Sequence, residues 1–197
     1  MLARVQTAGL QGVEALPVTV EVGITHGLPS FAVVGLPQSA VREGRERVLS
    51  ALRHLGVALP PRRITVNLAP ADQPKEGTGF DLPLAVALLV AAGEVHPDAV
   101  RELGFAGELG LDGTLRPVRG VLARTAGCRD VGVRRMVVAR ENAPEAAAVP
   151  GVAVGWARDI AQVRRCLCGE EPWPRPEAPR APSLSIAAGP GSQRRST

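Results

Sequence analysis

The sequence predicts an α/β protein of the two-layer α+β kind, a sheet backed by helices, and three observations carry that expectation. Apolar and polar residues alternate at Val18, Val20 and Val22, at Phe31 and Val33, and at Ile64, Val66 and Leu68, the period of half-buried strands. After the second run the period becomes helical, with Val41, Val48, Leu52 and Leu55 on one side. Leu82 to Ala92 is apolar all round, as a buried helix is.

In chain order, Leu2 to Leu10 reads as a strand beside an antiparallel hairpin. That hairpin is formed by the strands at Val18–Val22 and Phe31–Val34, turning at His26-Gly27-Leu28-Pro29. A helix from Gln38 is closed by Gly56. Its other side carries Arg42, Glu43, Glu46, Arg47 and Arg53, and the four-residue spacing of Glu43 and Arg47 suits a solvated face better than a phosphate-binding one. The strand Ile64 to Ala69 stops at Pro70 and enters a polar loop, in which Gly77 and Gly79 allow positive φ. Asp81 is placed to cap the next helix, with Pro83 in its first turn.

Beyond Gly93 the pattern predicts a short helical piece at Pro97–Glu102, a strand over Leu103–Leu109 and a hairpin at Asp112-Gly113. Next come a helix over Val118–Cys128, a strand at Arg135–Ala139 and a short alanine-rich helix over Glu141–Val149. A strand at Val152–Val154 and a helix over Trp156–Leu167 complete a body of residues 1–168. From Gly169 prolines crowd a segment with no sustained apolar period, so residues 169–197 read as a Pro/Arg-rich disordered tail.

Composition narrows the function classes. A 197-residue chain that is 45% apolar has enough material for one domain with a core. No run of about 18 apolar residues exists to cross a bilayer and no signal-peptide pattern opens the chain, so a cytoplasmic location without a membrane partner is expected. Cys128, Cys166 and Cys168 lack Cys-x-x-Cys spacing, and His26, His54 and His96 are far apart, so no metal site is expected. The net charge of +4 comes from dispersed arginines. Tyrosine is absent and other aromatics are few, which argues against a base-stacking platform.

The candidate chemistry lies in Pro74-Lys75-Glu76-Gly77-Thr78-Gly79-Phe80-Asp81. A Thr/Lys hydrolase would need the Thr78 hydroxyl within reach of a lysine neutralised by burial. Lys75 is the only lysine in the chain, and in a loop it reads as a solvated charge, like Glu76, with Asp81 as the helix cap.

Several strings resemble the N-terminal module of the ComM/YifB family of magnesium-chelatase-like AAA+ ATPases. They are Pro17–Val22, Gly27–Pro29, Val34–Pro37, Arg62–Asp72, Pro74–Gly77, Phe80–Pro83 and Gly107–Val121, in order over about residues 1–168. That module is similar to the proteolytic domain of Lon, which implies a ribosomal protein S5 domain 2-like fold. Lon's motif Pro-Lys-Asp-Gly-Pro-Ser-Ala-Gly, laid on Pro74–Gly79, puts its nucleophilic serine at Gly79. Its Gly-Glu…Pro-Ile-Gly-Gly-Leu-Lys run, laid on Gly107–Leu122, puts its lysine at Leu122. The resemblance thus implies that both members of the catalytic dyad are replaced.

The family's ATPase would come after this module, with a phosphate-cradling Gly-x-x-x-x-Gly-Lys-Ser/Thr loop. The nearest string, Gly189 to Ser196, has arginine where the second glycine and the lysine belong, so no nucleotide site is expected and ATP and magnesium are expected only of a missing AAA+ part. A truncated or frame-shifted gene is therefore expected. The resemblance implies a parent that is a hexameric motor on branched DNA in natural transformation and recombination. This chain would be its non-catalytic module, a homo-oligomer contact or a DNA-facing surface using Arg62, Arg63, Lys75, Arg116 and Arg119. A peptidase with an unusual Thr78/Lys75 pair and an inactive relic are the alternatives.

Overall fold

The computed structural model describes residues 2–176. The strands β1 (Leu2–Gln11) and β2 (Glu14–Thr25) form a long antiparallel hairpin about Gly12-Val13, in register from Leu2 opposite Gly23 to Gln11 opposite Glu14. The strand β4 (Arg63–Ala69) lies antiparallel on the other side of β2, pairing Val20 with Leu68, Val22 with Val66 and Ile24 with Ile64. The strand β3 (Ser30–Val34) is parallel to β4 and outside it.

The expected hairpin between β2 and β3 therefore does not form, because β4 is inserted between them. The burial pattern explains the preference. Ile64, Val66 and Leu68 are at most 5% exposed and suit an interior strand, whereas the half-exposed residues of β3 suit an edge.

The parallel strands β5 (Leu103–Ala106), β8 (Arg135–Ala139) and β9 (Ala153–Ala157) continue the sheet from β1, giving the order β3-β4-β2-β1-β5-β8-β9. The predicted strand Leu103–Leu109 is broken at Gly107, where a Cβ would stand 2.5 Å from the Leu115 side chain. Beyond the break the chain forms a separate small hairpin of β6 (Glu108–Leu109) and β7 (Leu115–Arg116), turning at Asp112-Gly113 as expected.

Among the described residues five helices cover the sheet: α1 (Ser39–His54), α2 (Asp81–Ala92), α3 (Val121–Asp130), α4 (Ala143–Ala147) and α5 (Ile160–Leu167). The expected helix from Val118 starts three residues later, because Gly120 takes a left-handed φ of +68° there. Trp156 belongs to β9 and not to α5, so that helix starts only after Asp159, whose side chain caps it by accepting from the Gln162 amide at 2.7 Å.

The helices α1, α2 and α5 pack with one sheet face around Val5, Val20, Val66, Leu88, Phe105 and Val137. α3 and α4 cover the opposite face, around Ala8, Cys128, Met136, Val138 and Ala146, so a third layer is added on that side. The fold is thus the expected α/β class, with α2 as its hub. Residues 81–91 of α2 are all buried, and each fully buried leucine there contributes roughly 1.5–3 kcal/mol.

The tail expected to be disordered from Gly169 is packed through Pro176. The β9 Trp156 donates its amide to the Pro174 carbonyl at 3.1 Å and its indole Nε1 to the Arg175 carbonyl at 2.9 Å, while Trp173 packs against the core. The one aromatic residue of the tail supplies the burial that its prolines could not, and the segment covers the free edge of β9. The remainder of that tail, including the Gly189–Ser196 string, lies outside the described residues.

Candidate functional site

The loop after β4 runs back beside the segment leading into α1. Lys75 exchanges backbone hydrogen bonds with it, its amide donating to the Leu36 carbonyl at 3.1 Å while its carbonyl accepts from Gln38 at 3.0 Å. This pairing buries Lys75, which is 1% exposed. Its ammonium donates to the Pro70 carbonyl and, at 2.7 Å, to the Gln73 carbonyl. Burial lowers its pKa, with the Asp72 charge opposing. The expectation of a solvated loop lysine is therefore corrected, and with it the candidacy of Lys75 as a DNA contact: the side chain ties the loop to itself.

Asp81 is also not the helix cap that its position predicts. It is the first residue of α2 and its carboxylate points sideways, taking Arg47 of α1 in a bidentate pair at 2.7 and 3.1 Å and the Leu109 amide of β6 at 3.2 Å. Arg47 consequently leaves the solvated helix face where sequence spacing had put it. Burial pushes the Asp81 carboxyl up, with the Arg47 hydrogen bonds pulling against it, and the same pair raises Arg47. The contact requires Gly44, since a Cβ at that position would lie 2.3 Å from Asp81 Oδ1.

Between these anchors Gly77, with φ of +84°, turns the chain into a 3-10 turn over Thr78–Phe80 that runs on into α2. The turn borders a cleft of about 510 Å³ whose walls include Thr78, Gly79, Glu76, Glu108, Arg119 and Arg124. Gly79 is buried, and a Cβ on it would stand 3.0–3.2 Å from the Arg124 guanidinium. A serine there could not be accommodated without moving that arginine. Leu122 is 48% exposed at the start of α3, its amide donating to Glu145 Oε1 at 3.0 Å. Thr78 lines the cleft, while the Lys75 ammonium is held by Pro70 and Gln73, so the fallback pair has no lysine amine free to activate the hydroxyl.

Of the remaining candidates, Arg62 and Arg63 are exposed at the start of β4, Arg116 is exposed in β7 and Arg119 is exposed on the cleft wall. Arg63 pairs with Thr25 at one end of β2, whereas Arg119 lines the cleft with Gly12 at the other, so the length of that strand keeps the two from forming one patch. Arg116 is in addition paired with Glu108 at 3.6 Å.

Two site residues, Asn142 and Arg124, escaped the sequence reading, and Arg47 entered it only as a charge on a solvated helix face. Asn142 is buried and clamps the cleft wall, its amide side chain accepting from the Val118 N–H at 2.8 Å and donating to the Val118 carbonyl at 2.9 Å. Arg124 had a visible signal, being three residues after Val121 and four before Cys128, on the buried side of α3. Among the described residues no group of three His, Cys, Asp or Glu side chains is placed to hold a metal, and no helix is long and apolar enough to cross a membrane.

Fold and site together describe an α/β domain in which a buried arginine packs against Gly79 at the start of its central helix. Residues 20–142 match the family described as subunit ChlI of Mg-chelatase, and the chain belongs to that family. Within it, the chain is 40% identical to YifB of Escherichia coli over 185 residues, covering 94% of this chain and 36% of that protein. It is also 40% identical to competence protein ComM of Haemophilus influenzae, over 88% of this chain and 34% of ComM. A weaker similarity, 26% identity over 138 residues, reaches Lon protease 2 of Thermus thermophilus, covering 66% of this chain and 17% of that protease. The chain spans about a third of the length of the YifB and ComM relatives, consistent with an N-terminal segment of that family.

Proposed function

We propose that this chain acts as a non-catalytic module of a ComM/YifB-like AAA+ protein, in the cytoplasm, contributing contacts to assembly or to DNA. The observation that carries the reading is the state of the dyad positions. Gly79 is closed by Arg124, Leu122 has an aliphatic side chain facing solvent, and Lys75 is tied to backbone carbonyls. These three positions bring no nucleophile and base together. The resemblance and the name of the ComM relative support a role in competence, through a motor whose ATP and magnesium chemistry would belong to another part of the protein. A hexameric assembly and recognition of branched DNA belong to the same proposal.

The test is binding of the 197-residue chain to four-way and forked DNA against plain duplex, at two salt concentrations. The proposal expects preference for the branched substrates and an affinity that falls steeply with salt, with Arg119→Ala weakening binding to both and flattening the salt slope by about one unit. Absence of any salt-dependent binding to DNA, together with a monomeric chain, would favour the relic. Peptide turnover abolished by Lys75→Ala would overturn the proposal outright.

A further inference from the structure

Arg124 is a buried cation for which the described residues supply no anion. It is 3% exposed, its Nη1 donates to the Ala8 carbonyl, its Nε to the Arg119 carbonyl at 3.4 Å, and its guanidinium carbon lies 5.8 Å from the centre of the Phe80 ring. These are neutral partners. Nη2 has no hydrogen-bond acceptor among the described residues and lies 3.9 Å from where a Cβ on Gly77 would stand, on the loop that borders the cleft. Burial lowers the Arg124 pKa with only the Cys128 thiol opposing. Arg47 shows the contrast: only partly buried, it nonetheless has a carboxylate on two of its nitrogens.

An arginine taken out of water without a counter-charge costs several kcal/mol, and that cost is offset when an anion enters. We propose that the cleft beside Gly77–Gly79 is a carboxylate-binding site with Arg124 as its receptor. The lack of a side chain at Gly77, where a Cβ would stand 3.9 Å from Nη2, leaves room beside that nitrogen, and the Gly77 N–H, which meets no acceptor among the described residues, is available as a second donor. Glu76 and Glu108 on the same walls balance Arg119 and Arg124, so the lining is close to neutral. A nucleic acid, with a phosphate every 1.7 Å or so along the duplex axis, would meet those carboxylates, whereas a single carboxylate fits the planar fork. The carboxylate is that of a small organic acid or the free C-terminus of a peptide. The site stands whether or not the chain binds DNA.

The experiment is an NMR titration of the ¹⁵N-labelled chain with acetate, with a hexapeptide having a free C-terminus, with the same peptide amidated, and with inorganic phosphate. The expected result is saturable shifts at the Gly77 and Gly79 amides and at Arg124 Nε with acetate and the free peptide, the amidated peptide binding roughly thirtyfold or more weakly. Shifts from acetate but not from the free peptide restrict the site to small acids, which still supports it. The Arg124→Lys variant should retain weak binding and Arg124→Gln should lose it. If Arg124→Gln does not fold, Glu76→Gln serves instead, since removal of a neighbouring negative charge should tighten binding of acetate. No saturable shift, phosphate binding more tightly than acetate, or unchanged affinity in Arg124→Lys and Glu76→Gln would each overturn the assignment.

Discussion

Replacing Arg47 by alanine tests whether the pair it makes with Asp81 holds α1, α2 and the β6–β7 hairpin together. The Asp81 carboxylate is 2% exposed and has three donors, two from Arg47 and one from the Leu109 amide. Arg47→Ala leaves it buried with the single amide, the situation in which an uncompensated charge costs about 3–5 kcal/mol. In a domain of this size that corresponds to a fall in Tm of roughly 6–20 °C. Thermal melts and urea unfolding of Arg47→Ala, Asp81→Leu and the double variant are the assay. The double variant should be more stable than Arg47→Ala, because it removes the stranded charge along with its partner. A loss below about 1 kcal/mol in Arg47→Ala would mean the pair behaves as a solvent-exposed one and would refute the reasoning.

Three further outcomes are expected. Gly79→Ala should destabilise by roughly 1–3 kcal/mol, since its Cβ would press on the Arg124 guanidinium at 3.0–3.2 Å, and NMR of Arg124 Nε should show the displacement; equal stability with an unshifted resonance would contradict the packing. Asn142→Ala, which removes two hydrogen bonds to Val118, should cost about 1–3 kcal/mol in urea unfolding and expose the residues before α3 to hydrogen exchange. The Cys128 thiol is pushed up from 9.0 to about 12 by burial, so the folded state keeps its proton after the unfolded chain has lost it. Its contribution is complete below about pH 9 and is lost as pH rises towards about 12, amounting to roughly 1.4 kcal/mol between pH 8 and pH 10, a fall that Cys128→Ala should remove from the urea midpoints.

The elements of this protein could be read from the chain because each depends on the spacing of its own residues. Val18 to Val22 and Ile64 to Leu68 alternate and are strands, Leu82 to Ala92 is apolar throughout and is buried, and Asp112-Gly113 turns a hairpin. The glycine at position 79 and the leucine at 122 were equally visible. Which element lies beside which was not, since strand order depends on closing loops between distant segments, and β4 entered between two runs that looked like a hairpin. For the same reason the charged residues were misjudged. Lys75, Asp81 and Arg47 each read locally as solvated or capping residues, while their burial and their partners come from segments tens of residues away. Local spacing dictated the faces of helices and strands. Packing in three dimensions settled which charges are taken out of water, because desolvation is a property of what surrounds a group and no window of the chain contains it.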